Sequence, residues 1–267
     1  YKIHILPTET IANMKISHVS DQKLYSEYYS EDDDQSYFFC YDLDKQKIIW
    51  EHLLGEVSVV SSALSNGILI LNLERKCVHA LDTQTGKIIW QNDQFGTFYD
   101  SHVKTEKPCT LSGFPIIIDE NIILSLLGYK IVSLNLKNGK IKWETQVKER
   151  TPSSITYYID GNIYLIGNQT YCAINPSNGN KIFEKNIKQE FLDHGYVRLT
   201  LTSITEDHIH FSDIDKGKYF IIDKVSGKTL WSYECKSMIP SYHYPIITKN
   251  EIYIVDDKGN FYVFSKN

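Results

Sequence analysis

The sequence predicts an all-β repeat fold, on three observations. A ten-residue phrase recurs five times, the stretches between copies read as short alternating strands bounded by Asn, Asp and Gly, and no segment carries an amphipathic helical period of three turns or more. The clearest copy runs from Leu81 and Asp82 through Thr85, Gly86 and Lys87 to Trp90. It returns from Leu134 and Asn135 through Gly139 to Trp143, and from Ile222 and Asp223 through Gly227 to Trp231. Looser copies run from Tyr41 and Asp42 to Trp50, and from Ile174 and Asn175 through Gly179 to Phe183. The five aromatic residues stand 40, 53, 40 and 48 residues apart, a period in which each unit is one small sheet that needs its neighbours to bury its faces.

Each part of the phrase has a local reason. Asp or Asn at the turn entry can fold back onto backbone N–H groups. Gly supplies the positive φ that a short hairpin needs. The aromatic residue four places after Gly lies on the next strand, where a large ring can fill the gap to an adjacent sheet. Two further strands precede each phrase after the first: 58–64 and 67–73 before Cys77–Leu81, 115–118 and 122–126 before 130–134, 155–159 and 163–166 before 171–174, and 199–204 and 208–212 before 219–222. Four antiparallel strands per unit make a blade, and consecutive blades make a β-propeller. The last unit has strands at 244–248, 251–255 and 261–264 and lacks a fourth, while residues 1–6 alternate like a strand with no unit of their own. The expectation is therefore one domain over 1–267, six blades of about 44 residues rather than seven, with residues 1–6 closing the ring on the last blade.

The repeat resembles the PQQ-like, or quinoprotein-type, propeller family over nearly the whole chain. That family includes quinone-dependent dehydrogenases, an outer-membrane assembly lipoprotein and uncharacterised binding proteins, so the resemblance implies a fold and leaves function to the site. The quinone-dependent members have eight blades, a disulfide between adjacent cysteines under the cofactor, and acidic calcium ligands. Here Cys40, Cys77, Cys109, Cys172 and Cys235 are far apart, and neither quinone nor calcium is carried over.

The expectation is a non-enzymatic protein, with no cofactor and no metal site. No catalytic motif for nucleophilic, metal-assisted or nucleotide chemistry is present. His208 and His210 share a strand face without an evident third ligand, and Asp32, Asp33 and Asp34 lack the oxygen spacing and Gly of a calcium loop. A net charge of −5 without a basic stripe argues against direct nucleic-acid binding, and no apolar run is long enough to span a bilayer. Unpaired cysteines point to the cytoplasm, with the periplasm or envelope as the alternative if a leader precedes Tyr1.

Propellers bind through the face carrying the inter-blade links and the loops between second and third strands, opposite the Gly turns. On that face the sequence places Asp32, Asp33 and Asp34; Phe95, Phe98, Tyr99, Asp100 and His102; Phe191, Asp193, His194 and Tyr196; and Tyr242, His243 and Tyr244. Rings flanked by carboxylates suit a basic protein partner, with aromatic anchors and charge for steering. The function expected is therefore protein binding by a chain monomeric on its own, in particular an inhibitor or immunity protein that caps a basic toxin such as a nuclease domain. Alternatives are an envelope assembly scaffold, and an enzyme acting on a small ligand or sugar in the propeller mouth.

Overall fold

The computed structural model describes residues 11–74, 77–100, 104–127, 130–147, 156–166, 170–186, 199–205, 207–213, 217–226, 228–239 and 245–265. Among them the regular elements are all strands, none parallel to its neighbour, and no helix is long and apolar enough to cross a membrane. The first sheet pairs β1 (Ile11–Ser20), β2 (Lys23–Ser30), β3 (Gln35–Asp42) and β4 (Lys47–Gly55) in chain order. The second does the same with β5 (Val59–Ser65), β6 (Ile68–Leu73), β7 (Cys77–Asp82) and β8 (Ile88–Asn92). A separate hairpin of β9 (Thr97–Asp100) and β10 (Thr105–Pro108) precedes the third sheet, β11 (Thr110–Ile118), β12 (Asn121–Leu127), β13 (Lys130–Asn135) and β14 (Ile141–Gln146). The fourth comprises β15 (Thr156–Ile159), β16 (Asn162–Ile166), β17 (Thr170–Ile174) and β18 (Lys181–Asn186); the fifth, β19 (Leu199–Ile204), β20 (His208–Asp213), β21 (Lys218–Asp223) and β22 (Thr229–Glu234). The last has three strands among the described residues, β23 (Ile246–Ile247), β24 (Glu251–Val255) and β25 (Phe261–Ser265). These meanders are the blades that the repeat predicts. Residues 1–6, expected to close the ring, lie outside the described residues.

The chain divides into two compact units, Tyr1–Val147 with Pro176–Gly179, and Lys148–Asn175 with Asn180–Asn267. In the first unit the repeat phrase acts as read. Asp82 Oδ1 accepts the N–H groups of Gln84 and Thr85 at 3.1 and 2.8 Å and the Thr85 hydroxyl at 2.8 Å. Asn135 and Asp42 cap their own turns in the same way. Hydrogen bonds from the Thr85 hydroxyl and N–H hold the Asp82 carboxyl below its ordinary range.

The phrase also does two things that no strand pattern announces. In five sheets the register slips by one residue just after the turn, leaving Ile49, Ile89, Lys142, Ile182 and Leu230 as bulged residues ahead of the aromatic one. A bulge sets two residues opposite one and turns the strand, so simple alternation from Gly to Trp does not hold. All five of these residues are exposed. The second feature is a latch between sheets. The Trp50 ring of the first sheet lies flat on Gly86 of the second, so close that a Cβ there would sit 2.5 Å from the ring, and its Nε1 donates to the Thr83 carbonyl at 2.9 Å. Trp90 covers Gly139 and donates to Leu136 at 2.8 Å; Trp143 covers Gly179 and donates to Pro176 at 3.0 Å. Gly is thus required twice over, by its φ near +70° and by the ring above it.

Apolar layers fill the gaps between sheets. Phe38, Cys40 and Trp50 meet Val59, Leu69, Leu71 and Leu81 between the first and second sheets. Ile70, Val78 and Trp90 meet Leu111, Ile122, Leu124 and Leu134 between the second and third. In the second unit Tyr219, Cys235, Ile252 and Ile254 form the equivalent layer, with the Trp231 ring edge-on to Phe264 at 4.8 Å. Among the described residues Gly259 in that unit is covered by no ring, and Gly227 lies outside them. Here Lys224, its side chain 9% exposed, follows the turn-entry Asp223 and pairs with Asp160 at 2.7 Å, its Nζ lying 5.4 Å from the Tyr164 ring centre.

Candidate protein-docking face

In the first unit, β2 and β3 are joined by a turn of four consecutive exposed acids, Glu31, Asp32, Asp33 and Asp34. Like charges packed this closely repel, and tyrosines on the two flanking strands hold them in place. Tyr29 donates to Asp34 and Tyr37 to Asp33. Tyr28 donates to Glu51 at 2.6 Å, and its ring stacks on Tyr37 with centres 5.3 Å apart and planes 15° from parallel. The stack follows from register, because Tyr28 and Tyr37 are direct cross-strand partners. The Tyr37 and Ser30 hydrogen bonds hold the Asp33 carboxyl below its ordinary range. Burial, then the Glu51 carboxylate, pushes the Tyr28 phenol up. The phenols therefore stay protonated donors at neutral pH, and Asp33 stays an anion.

Beside this turn a cleft of about 510 Å³ opens between the first and second sheets, lined by Glu27, Tyr29, Ser36, Ser58, Val59, Val60 and Glu74. Glu27 is buried, its Oε1 accepting the Val59 N–H at 2.9 Å. After Glu74 the sequence continues into Arg75 and Lys76, which lie outside the described residues.

The β9–β10 hairpin stands in the link between second and third sheets, where the 53-residue spacing predicts an insertion. Its base is fixed by Phe95, 1% exposed, and Cys109, fully buried, with the Cys109 N–H donating to the Gly96 carbonyl at 3.0 Å. Phe98, Tyr99 and Asp100 lie on β9, paired opposite Lys107, Glu106 and Thr105. The side of the hairpin from Lys104 to Lys107 is exposed.

The structure thus brings Asp32, Asp33 and Asp34 together as an exposed acidic tip and carries Phe98, Tyr99 and Asp100 on a hairpin. It corrects Phe95. Expected on the partner surface, this ring is packed into the layer between second and third sheets. A two-stranded hairpin has no core of its own, and Phe95 supplies its root. Gly96 at φ +71° marks the point where the chain leaves that core, and the Phe-Gly pair is the sequence signal for it. His102, Phe191, Asp193, His194, Tyr196, Tyr242, His243 and Tyr244 lie outside the described residues.

The tyrosine–carboxylate pairs were not among the sequence expectations. Elsewhere, His210 is buried and meets the Tyr219 hydroxyl at 2.8 Å, with His208 edge-on to it at 6.4 Å. No group of three or more metal-ligating side chains occurs among the described residues. All five cysteines are free thiols. Burial pushes Cys172 up to about 12 and Cys235 up to about 11, far from a reactive thiolate.

Comparison with known proteins agrees with this architecture. The structure resembles the crystal structure of BamB from Moraxella catarrhalis, with a TM-score of 0.60 at 16% identity, covering 93% of this chain and 71% of that one. It also resembles quinohemoprotein alcohol dehydrogenase from Comamonas testosteroni, with a TM-score of 0.60 at 13% identity, over 92% of this chain and 52% of that one. At such identities the likeness is one of fold. Among curated proteins, tetrathionate hydrolase of Acidithiobacillus ferrooxidans is 24% identical over 58% of this chain, which spans about a third of that relative's length, 34%. The model of the PQQ_2 family, described as outer membrane protein assembly factor BamB, matches residues 40–200, more than half of the sequence. With its five Trp/Phe-ended repeats, its four-stranded meanders and this match, the chain belongs to the PQQ_2, BamB-type family of β-propellers.

Proposed function

We propose that this chain is a non-enzymatic protein-binding propeller that docks a basic segment of its partner on the acidic face of the first unit. The observation that carries the reading is the Glu31–Asp34 turn, four exposed carboxylates on a hairpin tip stiffened by Tyr28, Tyr29 and Tyr37. A preformed anionic surface speeds encounter with a cationic partner and costs little ordering on binding. The neighbouring cleft extends the surface. On this reading the finer role is inhibitory: a cap on a basic toxin, such as a nuclease domain, made inside the cell.

The family description favours a second reading, an assembly scaffold of the envelope, and the same surface would serve it. One experiment separates them. The chain and its Asp32→Asn/Asp33→Asn/Asp34→Asn variant are used as bait in lysate of the source organism, at low and moderate salt. Capping predicts one stoichiometric basic protein, released by salt and lost with the variant. Recovery of envelope assembly components supports the scaffold. Equal capture by both baits removes the acidic turn from the interface.

A further inference from the structure

The layer between the first and second sheets is mostly apolar; besides the buried Glu27 carboxylate, bonded to the Val59 N–H, it holds two imidazoles. Along β4, Trp50 and Leu54 belong to it; along β7, Cys77 and Leu81 do. His52 and His79 fall between these residues by strand alternation, and their rings meet edge to face at 5.7 Å. His52 Nε2 and His79 Nδ1 are shut off from solvent and have no hydrogen-bond partner among the described residues.

A neutral imidazole can turn a bare lone pair toward such a layer, whereas an imidazolium has two N–H donors. Protonating either ring therefore buries a charged donor with no acceptor, and protonating both adds repulsion across the contact. Glu27 on β2 faces the same layer two strands from His52, with Phe38 between them, and its Oε1 is already taken by the Val59 N–H at 2.9 Å. Tyr25 on β2, Cys40 on β3 and Cys77 on β7 are neutral, each kept protonated chiefly by burial. Glu51 is engaged by Tyr28. The charges of Lys23 and Asp93 are felt at Cys40 and Cys77 respectively. Burial lowers the pKa of both imidazoles from 6.5, and for His79 the proximity of His52 adds to it.

We propose that His52 and His79 form a pH-sensitive seam: neutral, they let the first sheet close on the second; protonated, they part β4 from β7 and loosen the cleft that Glu27, Tyr29 and Glu74 line between the same two sheets. A group whose folded pKa is depressed contributes stability that is present above its unfolded pKa, near 6.5, and lost as pH falls through the folded value. The seam is thus closed at neutral pH and weakened in mild acid, whatever the partner.

Amide hydrogen exchange, read strand by strand at about pH 7.5 and about pH 5 and corrected for intrinsic rate, tests this. Protection on β4 and β7 should fall by about tenfold or more, while β24 in the second unit keeps its protection. In His52→Leu/His79→Leu the loss should vanish. Unchanged protection, an even loss across all sheets, or the same loss in the double variant overturns the proposal. Should that variant fail to fold, NMR titration of the wild-type imidazoles decides. Midpoints below 6.5 for both rings support the seam, and a midpoint at or above 6.5 for either overturns it.

Discussion

Gly86 and Gly259 both sit at positive φ, at +70° and +76°, but they answer different demands. A Cβ at Gly86 would strike the Trp50 ring, whereas one at Gly259 would meet nothing within 4 Å among the described residues. Gly86→Ala should cost about 3–4 kcal/mol, from left-handed strain plus overpacking, and Gly259→Ala about 1–2 kcal/mol from strain alone. Urea unfolding of the two variants measures the difference, and equal losses would refute the latch. The Gly and the Trp were each legible in the sequence. Their partnership was not, because the ring comes from the preceding repeat and reaches its Gly only through packing. The same holds for Lys224. Burial works against its charge, but the Asp160 hydrogen bond and carboxylate outweigh that and raise its pKa. Asp160 is half exposed, so Asp160→Ala should cost about 1–2 kcal/mol, while Lys224→Met should be near neutral. The pair's contribution is present below about pH 10.5 and disappears as pH rises through the raised value. A deficit in Asp160→Ala that persisted well above that pH would contradict the assignment.

At the level of elements, the β9–β10 hairpin is anchored at its base by Phe95. Phe95→Ala should lower stability by about 3–5 kcal/mol, as expected for a fully buried ring. Phe98→Ala with Tyr99→Ala should leave the melting curve near wild type and weaken partner capture by about tenfold or more. The opposite pattern would make the hairpin part of the core and remove it from the interface. The sequence foresaw the insertion from the long repeat spacing and the acidic turn from its run of charge. It misplaced Phe95 because composition cannot distinguish a ring that roots a loop from one that the loop displays. The tyrosine–carboxylate pairs leave no mark in the sequence for a related reason. They depend on Tyr28 lying opposite Tyr37, a fact of register. The five bulges were equally hidden, since one extra residue leaves no mark in an apolar pattern.

For the whole molecule, the recurring phrase made the fold class and the order of strands readable, because each sheet is a local meander whose contacts follow chain order. Ring closure is a separate matter, since it depends on residues far apart in sequence. If residues 1–6 complete the last sheet, deleting them should lower the melting temperature by more than about 5 °C, and an unchanged curve would exclude that role. The Trp-on-Gly contacts carry a wider consequence. Every repeat so joined presents a tongue on one side and a groove on the other, like floorboards, and the joint specifies nothing about how many boards are laid. A unit gained or lost by duplication or deletion brings or removes its own tongue and groove, so neighbouring joints need no redesign. Changes in repeat number are then cheap for such a chain, and relatives of very different length can share one kind of blade.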